Sequence, residues 1–326
     1  DRYGVTIPWF IMTSDVNHED TVGFFREHAH FGLDPEQVHC FRQGMMPAVD
    51  ADGKLILSAP DRLAMSPDGH GGSLRALVRS GATRTMADAG IDIISYFQID
   101  NPMVHCVDPT FVGFHVLNRS EMSSKTVLKA YPEEKVGHFC LDREGGLVVV
   151  EYSDLPEELM HRKNEDGELT YSAGSIAIHI LDRDFVRKLG DTTDDALSLP
   201  FHRANKKIPT VDDDGNTVEP DEPNGIKFEM FVFDALPFAQ NPVVIECDRA
   251  VEFAPVKNKE GADSPETARD AQVALWTEWL TAAGETVPAG ATLEISPRFA
   301  DTRSAFLEAW RNLDPKPDIR DGLYLE

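Results

Sequence analysis

Short β-branched and aromatic runs, closed by Gly- or Pro-bearing loops, alternate with helix-like segments through the first hundred residues. Residues 6–12 read as a strand, 21–28 as a helix behind Asp20 as N-cap, and 38–42 as a second strand. A turn at 50–54 leads into a short run at 55–57, and the Pro/Gly-rich loop 66–72 enters a helix near Ser73. Residues 91–99 form a run that Asp100-Asn101-Pro102 stops. Strand–helix alternation of this kind predicts an α/β domain with a mixed, mainly parallel central sheet.

Further along, residues 136–141 and 147–151 flank a Gly-Gly turn and read as a hairpin, and 175–181 and 243–247 read as strands. Residues 212–216 form an acidic turn. Phe228, Phe231, Val232 and Ala235 recur at helical spacing, which predicts a helix packed on the core. After Ala262 the pattern changes. Ser264-Pro265 caps an amphipathic helix, residues 285–296 read as short strands, and 301–310 as a last helix. The expected organisation is a larger domain over 1–261 and a small C-terminal α+β domain over 262–326.

Charge narrows the function. Lys and Arg total 31 against 56 Asp and Glu, a formal charge of -25, so the chain as a whole repels nucleic acid and anionic membrane. An anionic ligand must be met by local Lys or Arg, or by a metal ion. No segment reaches the ~20 apolar residues of a membrane span. The 4 cysteines include no C-x-x-C pair, which suits reduced thiols of a cytoplasmic protein better than structural zinc.

Several residues in loops and at strand ends could carry chemistry. Pro67-Asp68-Gly69-His70-Gly71-Gly72 can bring backbone N–H groups close to a ligand. Gln43 follows a strand, and its amide offers the donors and acceptor that read a nucleobase edge. Asp100 closes a strand where ligands of open α/β sheets bind, and its carboxylate suits a divalent cation held against phosphate oxygens. Glu151 ends another apolar strand and suits sugar hydroxyls. Lys227 and Lys257 are cations in non-repetitive segments that could neutralise phosphates. Each of these also has an ordinary structural explanation when taken singly: a tight turn, a turn aspartate, an exposed lysine.

Taken together, the residues resemble the eukaryotic-type UDP-N-acetylhexosamine pyrophosphorylases, within the wider UDP-sugar pyrophosphorylase family. The resemblance runs from Pro8 to about Asn258. It rests on Gln43-Gly44-Met45-Met46-Pro47-Ala48, the Pro67–Gly72 loop, Val149-Val150-Glu151-Tyr152-Ser153 and Lys206-Lys207-Ile208-Pro209. Pro223-Asn224-Gly225-Ile226-Lys227, Phe231-Val232-Phe233-Asp234 and Glu252-Phe253-Ala254-Pro255-Val256-Lys257-Asn258 follow in the same order.

The resemblance implies a Rossmann-like nucleotidyltransferase in which UTP and a sugar 1-phosphate are joined by metal-assisted in-line displacement, with Mg2+ or Mn2+ as cofactor. It implies that Gln43 and Gly69 contact the uridine, and that Asp100 serves the UTP and its metal. Lys227 would meet the UTP phosphates, and Lys257 the sugar phosphate. Gly137, Glu151, Phe231 and Phe233 would line the sugar pocket. Where the N-acetylhexosamine pattern has Asn, this chain has His70 and Ser175, both on the sugar side, and glucose-type relatives tend to carry His in that loop. The family also opens with a Gly-rich phosphate loop, which would lie before Asp1. The alternatives are a UDP-glucose or broad-specificity enzyme, and a non-catalytic nucleotide-sugar-binding protein.

Overall fold

The structure is a computed structural model that describes residues 3–191, 197–212 and 214–326. Its centre is a six-stranded sheet in which Leu147–Val150, Gly137–Leu141, Ala173–Asp182, Met122–Leu128 and Val243–Glu246 follow one another, and Ile93–Tyr96 also pairs with Ala173–Asp182. Only Val243–Glu246 with Met122–Leu128 is a parallel pair in this sheet. Trp9–Thr13 and Val38–Arg42 form a separate parallel pair. The sheet is therefore mixed, as expected, but not mainly parallel. The long strand Ala173–Asp182 causes the difference, because it runs antiparallel to three neighbours. Its first half pairs with Gly137 and His138, its second half with Ile93–Tyr96 on that same edge, and its register shifts between Ser175 and His179. Ala177, inside the shift, has φ 57°, so the strand is bulged where its edge partner changes.

The helix expected around Phe228–Ala235 is not formed. Gly225–Glu229 is a strand paired antiparallel with His202–Lys206, and a 3-10 segment follows at Val232–Phe238. The backbone explains this. Met230 donates its N–H to the Asp68 carbonyl and accepts from the Gly71 N–H, both at 2.8 Å, so its peptide groups serve the Gly-rich loop rather than a helix ladder. Pro237 further removes a donor. Val232, Ala235 and Leu236 are still buried, so the apolar spacing reflected a core-facing segment of another kind.

The first helix is His18–Glu27, with Asn17 rather than Asp20 at its N-cap. The expected acidic turn at 212–216 includes Asp213, which lies outside the described residues. The main core gathers Leu74, Leu77, Phe185, Val186 and Leu236 between the helices Gly72–Arg79 and Arg183–Gly190 and the sheet. These helices approach closely at Gly190, where a Cβ would lie 2.5 Å from the Leu74 carbonyl oxygen. A separate cluster joins Trp279, Leu280, Phe306 and Trp310 to the parallel strands Leu293–Ile295 and Leu323–Leu325. Its helix Pro265–Ala282 starts with a capping box at Ser264 and Thr267. Among the described residues no helix is long and apolar enough to cross a membrane.

Candidate functional site

The Gly-rich loop lies against the segment Glu229–Phe231, and its glycines are required there. Gly69 has φ +85°, and a Cβ on it would sit 2.5 Å from the Met230 carbonyl oxygen. Gln43 reaches the same loop, donating from Nε2 to the Asp68 carboxylate (3.2 Å) and the Gly69 carbonyl (3.4 Å). Both of its donor contacts face the protein, so the amide oxygen remains free to accept from a ligand. Next to it opens a cavity of about 350 Å³ lined by Gln43, Gly44, Asp68, Gly72 and Arg75, among others. Burial raises the Asp68 pKa, while the Gln43 hydrogen bond and the fields of Arg75 and Arg79 oppose that.

His70 is held on all sides. Its ring stacks on Phe231 (5.1 Å between centroids, 22° between planes) and meets Phe233 edge-on at 5.9 Å. The Val232 N–H points at His70 Nδ1 at 3.2 Å, and the Tyr96 hydroxyl lies 3.4 Å from the same nitrogen. A backbone N–H can only donate, so Nδ1 is the acceptor and Nε2 carries the proton. Burial, with the neighbouring His202, pushes the His70 pKa down to about 4, so the ring is neutral near pH 7. Nε2–H makes no hydrogen bond among the described residues and is a donor available to a ligand.

Sequence reading assigned no role to His202, Asp234 or Tyr96. His202 bonds the Asp234 carboxylate at 2.8 Å through Nε2 and packs on Phe231 with ring centroids 4.4 Å apart. Phe231-Val232-Phe233-Asp234 was a visible motif, but nothing local to it indicated a histidine 32 residues away. Glu151 stands in this neighbourhood. Burial raises its pKa to about 7, Asp154 and Asp234 add to the rise, and Lys257 and His202 oppose it. Gly137 and Ser175 share the spot: a Cβ on Gly137 would fall 2.7 Å from Val149 Cγ1, 3.5 Å from Glu151 Oε2 and 3.8 Å from Ser175 Cβ. The Ser175 hydroxyl is buried without a hydrogen-bond partner, as is His179 Nε2, whose Nδ1 bonds Ser124 at 2.8 Å.

The phosphate-handling candidates are less enclosed. Strand Ile93–Tyr96 ends four residues before Asp100, so Asp100 does not close it as expected but lies in the turn beyond; its carbonyl accepts the Val256 N–H at 2.8 Å, which ties that turn to the segment carrying Lys257. Lys257 is exposed and, among the described residues, bonds only the Lys135 carbonyl, at 3.2 Å. Lys227 lies on Gly225–Glu229, two residues from Glu229, and so shares its face; the Glu229 Cβ is 3.0 Å from where a Gly69 Cβ would be. Among the described residues, no hydrogen bond or ion pair joins Lys227 to Asp100 or Lys257. The structure thus brings Gln43, Gly69, His70, Phe231 and Phe233 into one contact network. It links Gly137, Glu151 and Ser175 to that network through His202 and Asp234, and joins Asp100 to Lys257 through the backbone.

Metal-ligand spacing occurs elsewhere, in His105, Asp108 and Glu252. The Lys125 ammonium occupies that group, 2.7 Å from Asp108 and 2.6 Å from Glu252, and a cation already in place disfavours a second one. Asp100 makes no side-chain hydrogen bond or ion pair among the described residues. A free carboxylate in this turn fits a magnesium ion that takes its other ligands from phosphates and water.

The sequence profile of the UTP–glucose-1-phosphate uridylyltransferase family matches residues 1–262. The chain belongs to that family. It is 41% identical over 322 residues to the human UDP-N-acetylhexosamine pyrophosphorylase-like protein 1, covering 98% of this chain and 61% of the relative. It is 40% identical over 302 residues to UDP-N-acetylglucosamine diphosphorylase 2 of Arabidopsis thaliana, covering 90% of this chain and 58% of the relative. The solved UDP-N-acetylglucosamine pyrophosphorylase of Trypanosoma brucei superposes with a TM-score of 0.79 at 26% identity, over 97% of this chain and 66% of that one. The chain spans about three fifths of the length of the two sequence relatives.

Proposed function

We propose that the protein is a uridylyltransferase that makes a UDP-N-acetylhexosamine and pyrophosphate from UTP and an N-acetylhexosamine 1-phosphate. The observation that supports this reading is the contact network of Gln43, Gly69, His70, Phe231 and Phe233, extended by the His202–Asp234 pair, with Asp100 bonded through its carbonyl to the segment that carries Lys257. The names of the relatives support the N-acetyl sugar. A phosphate oxygen of the sugar 1-phosphate attacks the α-phosphorus of UTP, a new P–O bond forms, the α–β bond breaks and pyrophosphate leaves with the electron pair. The nucleophile is already ionised near neutral pH, because a phosphate monoester has a second pKa of about 6. No histidine or serine nucleophile is needed. Catalysis then consists of holding two anions in line and neutralising their charge.

In this reading Gln43 and Gly69 hold the uracil and so place the α-phosphorus. His70 Nε2–H, Glu151 and the aromatic walls of Phe231 and Phe233 orient the sugar. Gly137 leaves it room, and Ser175 offers its buried hydroxyl. Lys257 neutralises the attacking phosphate and Lys227 the UTP phosphates. Asp100 would hold Mg2+ or Mn2+, which supplies charge neutralisation on UTP when bound. The described cysteines are all free thiols, in keeping with a cytoplasmic enzyme.

The test is pyrophosphate release by the full chain with UTP and Mg2+, comparing N-acetylglucosamine, N-acetylgalactosamine and glucose 1-phosphates. Release with an N-acetylated substrate is expected to exceed that with glucose 1-phosphate. His70 in place of an amide favours a second reading, a UDP-glucose or broad-specificity enzyme, and a faster rate with glucose 1-phosphate would establish it. Absence of turnover with every sugar phosphate, alongside retained UDP-sugar binding, would leave a nucleotide-sugar-binding protein.

A further inference from the structure

Lys125 is the most deeply buried ammonium in the central sheet, 2% exposed, and no part of the proposed reaction uses it. It rises from strand Met122–Leu128 and ends between two carboxylates from distant parts of the chain. Asp108 lies 2.7 Å away, in the loop that follows Asp100, and Glu252 lies 2.6 Å away, five residues before Lys257. The Phe111 ring covers the ammonium at 5.3 Å. Burial alone would lower the Lys125 pKa, but its bonds to Asp108 and Glu252 outweigh that and hold it above the ordinary value, so the charge stays.

The same two segments are stitched together again beside the ammonium. Asn101 Nδ2 donates to the Glu252 carbonyl at 2.7 Å, and Asn101 Oδ1 accepts the Ala254 N–H at 3.1 Å. One step outward, the Val256 N–H meets the Asp100 carbonyl at 2.8 Å. A second anchor acts on the other side: Arg249 grips Glu134 at 2.7 Å, one residue from the Lys135 carbonyl that receives the Lys257 ammonium. Asp100 and Lys257 are thus the two free ends of a clamp whose centre is Lys125.

We propose that Lys125 is a positioning residue which, through Asp108 and Glu252, fixes the separation of Asp100 and Lys257 and hence the alignment of the two phosphate-bearing substrates. The inference rests on the reading of Asp100 and Lys257 given above. It also accounts for a carboxylate cluster with metal-ligand spacing on the two segments that carry Asp100 and Lys257: the cluster belongs to the lysine. A buried, doubly bonded ammonium is a rigid tie, whereas a hydrophobic residue would pack without fixing direction.

Lys125→Met leaves two carboxylates facing each other and can unfold the chain. The double variant Lys125→Met/Glu252→Gln removes the tie while keeping the formal charge of the cluster. In the full chain it should raise the KM for sugar 1-phosphate and the half-activating Mg2+ concentration by about tenfold, because small misplacements of reacting groups are costly. Affinity for uridine 5′-monophosphate, read at the Gln43 end, should stay within about twofold, since distant sites are nearly independent. Hydrogen exchange at the Val256 amide should quicken. Asn101→Ala, which leaves the ion pairs intact and cuts the parallel link, should move the same parameters in the same direction. Unchanged sugar-phosphate KM and Mg2+ requirement in either variant, or equal losses at the uridine end, overturn the proposal. If the parent enzyme itself fails to join UTP to any sugar 1-phosphate, the functional reading has failed and the proposal falls with it; that result is read from the parent alone.

Discussion

The two ends of the candidate site are built differently. At the base-and-sugar end, His70, Phe231, Phe233, His202 and Asp234 touch one another, and the loop glycines press on the Met230 backbone. At the phosphate end, Asp100 and Lys227 make no side-chain bonds among the described residues, and Lys257 makes one, to a backbone carbonyl. Under the proposed function, the contrast follows from what each end would recognise. A neutral ring or sugar is read by shape and by a few hydrogen bonds, so its pocket has to be set in advance. A polyphosphate brings its own charges, and the cations that meet it gain little from being paired beforehand with protein carboxylates. In a chain carrying a formal charge of -25, leaving those lysines unpaired keeps local positive charge available. One end is fixed by contact among its own side chains, and the other by the backbone beneath free side chains.

The largest expected effect tests the free end. Lys257→Ala should lower kcat/KM for the sugar 1-phosphate by about 10²–10³-fold, the range seen when one transition-state donor is removed, with much less change in the KM for UTP. Because the lysine is exposed and makes a single hydrogen bond, the melting temperature should barely move. Equal losses for both substrates would mean that the phosphate end is not divided as described.

Next in size is Glu151, where the two ends meet. Burial raises its pKa from 4.5 to about 7, with Lys257 opposing the rise. A raised carboxyl favours the folded state while protonated, so this contribution is complete below about pH 4.5 and is lost as pH rises through about 7. By linkage the loss is on the order of 3 kcal/mol. Glu151→Gln should flatten the step and be the more stable protein at pH 8. Urea denaturation at several pH values checks this, and parallel curves for parent and variant would refute it. The Gly69→Ala variant probes the contact-built end. Positive φ and a 2.5 Å approach to the Met230 oxygen should cost about 2 kcal/mol or more, along with affinity for the uridine. A variant as stable as the parent would show that the loop can give way.

The candidate residues could be picked out from the sequence because they sit in short unbroken motifs. Gln43, the 67–72 loop, Glu151 and Lys257 each stand at the end of a run whose strand or loop character is locally encoded. His202 and Tyr96 were not legible, because what gives them a role is contact with Phe231 and His70, residues brought near by sheet pairing rather than by spacing. Strand direction was hidden for a related reason. Alternation of strands and helices shows where strands are, but the antiparallel course of Ala173–Asp182 is set by which strands it pairs with, and no local pattern announces that. The false helix at 228–235 arose because a buried 3-10 turn after a strand can mimic helical apolar spacing. The tie at Lys125 was invisible too, since a single lysine among serines and threonines looks like an exposed strand residue.

The smallest expected effect bears on the sugar itself. His70 offers one donor, Nε2–H, because the Val232 N–H occupies Nδ1. Asparagine at this position could accept from Val232 through its carbonyl oxygen and still present an N–H donor, but from a shorter side chain and without a ring to stack on Phe231. His70→Asn should therefore leave the fold intact and shift the ratio of kcat/KM between N-acetylglucosamine 1-phosphate and glucose 1-phosphate by about tenfold toward the N-acetyl sugar, the scale of one altered pocket contact. With the imidazole pKa near 4, His70 stays neutral between about pH 6 and 8, so a change of the parent's ratio in that range is expected only from Glu151, whose pKa lies at about 7, and should vanish in Glu151→Gln. A ratio that the substitution leaves untouched would take His70 out of sugar selection and leave that task to Ser175 and Glu151. A ratio that still drifts with pH in Glu151→Gln would mean that the ring is charged in the complex, and that the contact-built end is less isolated from the phosphates than its packing indicates.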